Sequence, residues 1–90
     1  MLKIVPKSQF KRDLRLCKRR GKNINSLNKI IQLLQEQKPL PTKTRDHQLT
    51  GSMADYRDCH IEPDWILLYQ VIDEDLILVR TGTHSDLFKK

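Results

Sequence analysis

The chain has 90 residues, 38% of them hydrophobic and 31% charged, with a formal net charge of +6 and a pI near 9.6. That length allows one domain, residues 1–90, around a modest core, and the positive excess favours an anionic partner such as nucleic acid, an acidic protein or an anionic membrane surface. No stretch approaches the ~20 apolar residues of a spanning helix, the run from Met1 to Pro6 is too short for a signal peptide, and Cys17 and Cys59 form no C-x-x-C pair; the expectation is a soluble cytoplasmic protein with free thiols.

Leu2 to Val5 is a short strand candidate stopped by Pro6. Ser8 can then cap a helix that carries Phe10, Leu14 and Cys17 at helical spacing and ends at Gly21. A second amphipathic helix runs from Asn25 or Ser26 to Gln37, with Leu27, Ile30, Ile31 and Leu34 on one face and Pro39 beyond its end. The two form a helical hairpin. Lys38 to Ala54 contains Pro39, Pro41, Lys43, Arg45, His47 and Gly51 without a sustained period, and reads as a long loop of the kind that often carries function. Tyr56 to Ile61, Trp65 to Ile72 and Leu76 to Thr83 are strand-like, joined by Glu62-Pro63 and by the acidic turn Asp73-Glu74-Asp75. The expected fold class is α+β: an N-terminal strand and a two-helix hairpin packed on a small antiparallel sheet, with the other sheet face available for ligand.

All three histidines fall in the second half of the chain, in three compact signatures: Asp46-His47-Gln48-Leu49-Thr50-Gly51, Arg57-Asp58-Cys59-His60-Ile61-Glu62-Pro63-Asp64-Trp65 and Arg80-Thr81-Gly82-Thr83-His84-Ser85-Asp86-Leu87-Phe88. Imidazoles beside carboxylates and an arginine can move protons and hold an anion, which points to phosphate chemistry. Strand alternation puts Tyr56, Asp58 and His60 on one side and Cys59 and Ile61 on the other, so that His60 and Arg80 can share the open face while Cys59 is a small core residue rather than a nucleophile. A lone strand histidine is more often a structural group; three in polar signatures make that reading weaker. A metal site built from His47, His60, His84 and Asp64 competes, but no H-E-x-x-H or C-x-x-C nucleus is present and Arg80 would repel a cation, so neither metal nor cofactor is expected. Lys11, Arg12, Arg15, Lys18, Arg19, Arg20 and Lys22 form a basic run that is either a solvated face or a phosphate-tracking surface. Trp65 and Phe88 are either packing residues or base-stacking platforms.

Taken in order, D-H-x-L-x-G, H-I-x-P-D-W-I-L-x-Y and R-T-G-T-H-x-x-L-F resemble the YafQ branch of the RelE/ParE toxin superfamily, small bacterial toxins of type II toxin–antitoxin pairs. The motif match runs from Asp46 to Phe88, about half the chain; the helical half agrees only in pattern. The resemblance implies active-site positions at His47, His60, Asp64, Trp65, Arg80, His84 and Phe88, each of the expected type. It further implies metal-free cleavage of mRNA on the ribosome, within the codon in the A site, and a cognate antitoxin that neutralises the toxin and with it represses the operon, so that operator DNA is bound through the antitoxin. ParE-like relatives share the fold but act on DNA gyrase and lack such a histidine set. The expected roles are His84 as general acid, His60 with Asp64 as base or base-orienting pair, Arg80 as phosphate clamp and His47 as auxiliary acid/base or phosphate ligand. Trp65 and Phe88 would shape the nucleotide pocket, with Lys43, Arg45 and Arg57 as further RNA contacts. A gyrase-directed toxin, and a nucleic-acid- or metal-binding module without catalysis, are the competing readings.

Overall fold

A computed structural model describes residues 1–88. Its elements in chain order are β1 (Lys3–Pro6), α1 (Ser8–Arg19), α2 (Ile24–Gln35), β2 (His47–Gln48), β3 (Arg57–Glu62), β4 (Trp65–Ile72), β5 (Asp75–Gly82) and α3 (His84–Phe88), with single 3-10 turns at Thr42–Thr44 and Gly51–Met53. The five strands form one sheet in the order β1-β5-β4-β3-β2. β3, β4 and β5 make the expected antiparallel meander. The sheet as a whole is mixed, because β1 pairs parallel with β5 through Lys3 to Pro6. A strand followed directly by a helical hairpin crosses the sheet before its neighbour is made, which sets the two strands parallel. Pro6 is the last residue of β1 rather than the residue that stops it; on an edge strand its missing N–H costs no ladder bond.

The helices begin earlier than their capping residues suggest. Ser8 is the first residue of α1, and the N-cap position, Lys7, makes no side-chain cap. α2 starts at Ile24 because the Asn23 side chain accepts from the Asn25 N–H. Phe10 and Cys17 of α1 and Leu27 and Ile30 of α2 pack with Leu2, Cys59, Trp65, Leu67, Tyr69, Leu76 and Leu78 in one core. Trp65, Leu67 and Tyr69 alternate along β4, so a single strand supplies three of these side chains to the helix-facing side.

Trp65 is 0% exposed, and its Nε1 donates to Thr81 Oγ1 at 2.9 Å, which in turn donates to the Ile66 carbonyl. The pocket-shaping role expected of Trp65 is therefore not what this position offers: its ring is enclosed by the core and presents no face to a base. The opposite sheet face is also less open than expected, since Asp58, Ile66 and Leu68 are buried as well. Replacing Trp65 by Ala should cost about 3–5 kcal/mol of stability in urea unfolding, the usual scale for emptying a buried aromatic position. A loss below about 1 kcal/mol would return Trp65 to the surface.

Candidate active site

Three chain segments meet at one end of the sheet: the end of β3, the β3–β4 turn and the segment after β5. His60 comes from the first, Asp64 from the second, His84 and Phe88 from the third. The segment after β5 is a short helix, which the strand pattern does not reveal. Its cause is local: Thr83 Oγ1 accepts from the Asp86 N–H at 3.1 Å, and Asp86 Oδ2 accepts from the Thr83 N–H at 3.0 Å. This reciprocal pair is a capping box, and Thr83-His84-Ser85-Asp86 was its sequence signal. Gly82 makes room for it, because a Cβ there would lie 2.9 Å from Asp86 Oδ2 and 3.1 Å from Asp86 Cβ. Arg20, just past α1, closes on the same carboxylate at 2.7 Å.

His84 opens this helix and is held twice by Asp64. Asp64 Oδ1 accepts from the His84 N–H at 3.1 Å and from Nδ1 at 2.7 Å. The carboxylate can only accept while ionised, so Nδ1 carries a proton and Nε2 is the nitrogen left to act. His84 holds the Asp64 carboxyl below the usual carboxylate range, through the imidazole first and the backbone N–H second. Both side chains remain accessible, at 47% for His84 and 67% for Asp64. The His60 and His84 rings lie 5.4 Å apart, centroid to centroid, and the Phe88 ring lies 6.2 Å from that of His84.

Asp64 was expected beside His60 and instead serves His84. The carboxylate nearest His60 is Asp58, which alternation had placed on the same side: its Oδ1 lies 3.8 Å from His60 Nδ1. Both of these atoms are buried and without a hydrogen-bond partner. Such a pair is costly unless a small shift or a bridging water joins the two. His47 faces the same side, since it is the cross-strand partner of Asp58, and is exposed.

Arg80 departs from the expectation. Its guanidinium is turned to α1, where Asp13 accepts from Nε at 2.9 Å and from Nη2 at 3.0 Å and also takes the Thr81 N–H. Register nonetheless keeps Arg80 on the face expected of it, because it is the partner of Leu68, itself the partner of Asp58, across an irregularity in the β4–β5 pairing. Nη1 stays outside the ion pair. Arg57 is likewise engaged, with Asp46 and Tyr69. Lys43 and Arg45 are exposed and line, with His60, Ile61, Glu62 and Pro63, a cleft of about 450 Å³. Burial pushes the Cys59 thiol up to about 12, so it stays protonated and unreactive near neutral pH. Sequence reasoning gave no role to Asp13, Asp46, Asp58 or Asp86; the partners of Asp13 and Asp46 are distant in the chain, and those of Asp58 and Asp86 include near neighbours, His60 and Thr83.

A small α+β sheet protein with two histidines, an aspartate and an aromatic ring at one end has the equipment of a small acid–base enzyme acting on an anion. The family described as bacterial toxin of type II toxin–antitoxin system, YafQ, matches residues 2–89, and the chain belongs to this family. The mRNA interferase toxin YafQ of Escherichia coli K12 is 46% identical over 81 residues, which cover 89% of this chain and 88% of that protein. Among solved structures, a copper-bound variant toxin from Helicobacter pylori superposes with a TM-score of 0.94 at 41% identity, covering 98% of this chain and all of that one. The toxin in the E. coli DinJ–YafQ complex superposes with a TM-score of 0.88 at 43% identity, covering 97% of each.

The Asp86 carboxyl is held down to about 2, by Arg20 first and the Thr83 N–H second. A carboxyl lowered by folding contributes stability that is complete above its unfolded value, near 3.9, and is lost as pH falls toward 2. The docked α3 should therefore persist at pH 4 and release between pH 4 and about 2, read from the amide signals of His84 to Phe88. Release already at pH 5 would contradict the clamp.

Proposed function

We propose that this chain is the toxin of a type II toxin–antitoxin pair and an endoribonuclease that cleaves mRNA on the ribosome. The observation that carries the reading is the Asp64–His84 pair set beside His60. Cleavage by the RNA's own 2′-OH requires a base at that oxygen, positive charge near the phosphorane and an acid at the departing 5′-oxygen. Asp64 fixes His84 with Nε2 outward, so an imidazolium there can give its proton to the 5′-oxygen as the P–O5′ bond breaks. His60, with Asp58 behind it, takes the 2′-proton as the 2′-oxygen bonds to phosphorus. The products are a 2′,3′-cyclic phosphate and a free 5′-hydroxyl. His47 stands by as a second base, and Arg80 meets phosphate charge through Nη1. The stacking role falls to Phe88 rather than to the enclosed Trp65, and Lys43 and Arg45 offer positive charge beside His60.

The identity with an mRNA interferase favours RNA cleavage over the gyrase-directed and non-catalytic readings. The E. coli relative is seen with its antitoxin, DinJ, which supports a cognate acidic antitoxin for this +6 chain and operator binding through that antitoxin. Among the described residues no helix is long and apolar enough to cross a membrane, which is compatible with action on cytoplasmic ribosomes. The exposed α1 side chains Lys11, Arg12, Arg15, Lys18 and Arg19 offer a surface for ribosomal RNA.

His84→Ala should lower the single-turnover cleavage rate by roughly 10²–10⁴-fold with little change in fold or ribosome affinity. An unchanged saturating rate with weaker binding would make His84 a binding residue only. The copper-bound relative makes a chelation test pointed. Cleavage should survive chelation once ribosome integrity is controlled, and a 2′-deoxy nucleotide at the scissile position should block it. Arg12, Arg15 and Arg19 replaced together by Gln should flatten the salt dependence of ribosome binding. An unaltered slope would leave α1 a solvated face.

A further inference from the structure

A second polar cluster lies on the side of the sheet away from Asp58 and His60. Arg57, at the start of β3, and Tyr69, in β4, are cross-strand partners, and both reach Asp46, the residue before β2. Tyr69 Oη donates to Asp46 Oδ1 at 2.5 Å, and Arg57 Nη2 donates to Oδ2 at 3.1 Å. Arg57 Nε lies 3.3 Å from both Oδ1 and Tyr69 Oη, closing the ring. Tyr69 is only 2% exposed. Burial, more than its bond to Asp46, pushes its hydroxyl upward, so it remains a neutral donor through the working pH range.

A core tyrosine and an arginine thus hold one loop aspartate, and the reason lies in β2. This strand is two residues long, sits at the sheet edge and has only the pairs His47–Asp58 and Gln48–Arg57 to set its register. A slip of one residue would turn every side chain to the other face. With Asp46 tied to the Arg57–Tyr69 side, alternation sends His47 to the opposite side, where Asp58 and His60 lie. The neighbouring Arg45 takes a left-handed conformation, φ 48°, and its carbonyl accepts from His47 Nδ1 at 2.7 Å. A carbonyl cannot donate, so Nδ1 holds the proton and Nε2 carries the lone pair.

We propose that Asp46, clamped by Tyr69 and Arg57, is a positioning residue that fixes the register of β2 and presents His47 Nε2 to the RNA as a proton acceptor. The inference rests on the reading of His47 as part of an RNA-cleaving site, but the orientation of His47 can be measured without activity. Tyr69→Phe keeps the ring in the core and removes only the hydroxyl that Asp46 accepts from. In the full chain it should lower the single-turnover cleavage rate by about 10–100-fold, short of the roughly 10²–10⁴-fold for outright loss of an acid–base group, with half-saturation unchanged. In a His47→Ala background the same substitution should have no further effect, because both changes disable one device. In ¹⁵N spectra of the imidazoles, His47 should pass from a single Nδ1-protonated tautomer in the parent to an averaged mixture in Tyr69→Phe. An unchanged His47 signal in Tyr69→Phe, or an equal loss of rate with and without His47, would overturn the proposal. A parent protein that cleaves no RNA would overturn the proposed function instead, and the imidazole spectra would still decide the positioning. Should Tyr69→Phe fail to fold, Asp46→Asn, at a half-buried loop position, makes the same comparison.

Discussion

A five-residue helix has no stability of its own, because nucleation fixes several residues for little hydrogen bonding. The candidate site nonetheless depends on one, since α3 bears both His84 and Phe88. What holds it is one carboxylate. Asp86 accepts from the Thr83 N–H on one side and from Arg20 on the other, and the lack of a side chain at Gly82 lets it come this close. The end of α1, the end of β5 and the start of α3 are thereby joined at a single point. With the helix seated, Asp64 can reach both the backbone and the ring of His84. Remove the ionised Asp86, and the orientation of the imidazole loses its support.

The same device recurs. Asp13 ties Arg80 and the Thr81 N–H to α1, and Asp46 ties Arg57 and Tyr69 to the edge of β2. Each pair joins segments far apart in the chain and leaves no buried charge alone, which is the condition under which partly buried ion pairs persist. The consequence for binding is selective: Arg20, Arg57 and Arg80 each commit guanidinium nitrogens to an internal carboxylate, whereas the exposed basic side chains of α1 and Lys43 and Arg45 are turned to solvent. One imidazole, by contrast, is poised rather than committed. His60 Nδ1 and Asp58 Oδ1 face each other unpaired at 3.8 Å, a gap that a substrate-induced shift can close.

The order of strand, helical hairpin, loop and three-strand meander was legible because it rests on local patterns: apolar residues at helical spacing in α1 and α2, and turn residues between apolar runs. The three histidine signatures were legible as a site because residues with little use in a core cluster there. α3 was present in the sequence as Thr83-His84-Ser85-Asp86 yet passed over, since the strand pattern before it runs directly into the cap. The surroundings of Arg80 and Trp65 were not legible, for different reasons. The carboxylate that engages the Arg80 guanidinium, Asp13, lies far off in the chain, and an indole beside an acidic residue looks the same in sequence whether its face is covered or free.

By itself, then, the sequence determined most of the elements that form, that the chain is basic, and which residues, His47, His60, Asp64, His84 and Phe88 among them, are candidates for one site. Those are consequences of side-chain type and of periods of two and 3.6 residues, which are written along the chain. Only the tertiary structure decided which carboxylate serves which base. Asp64 went to His84, Asp58 to His60, Asp13 to Arg80 and Asp46 to Tyr69 and Arg57. Hydrogen bonds reach about 3 Å and depend on direction, so a partner across the sheet is chosen by register, bulge and helix docking, none of which a residue's own neighbours in sequence specify.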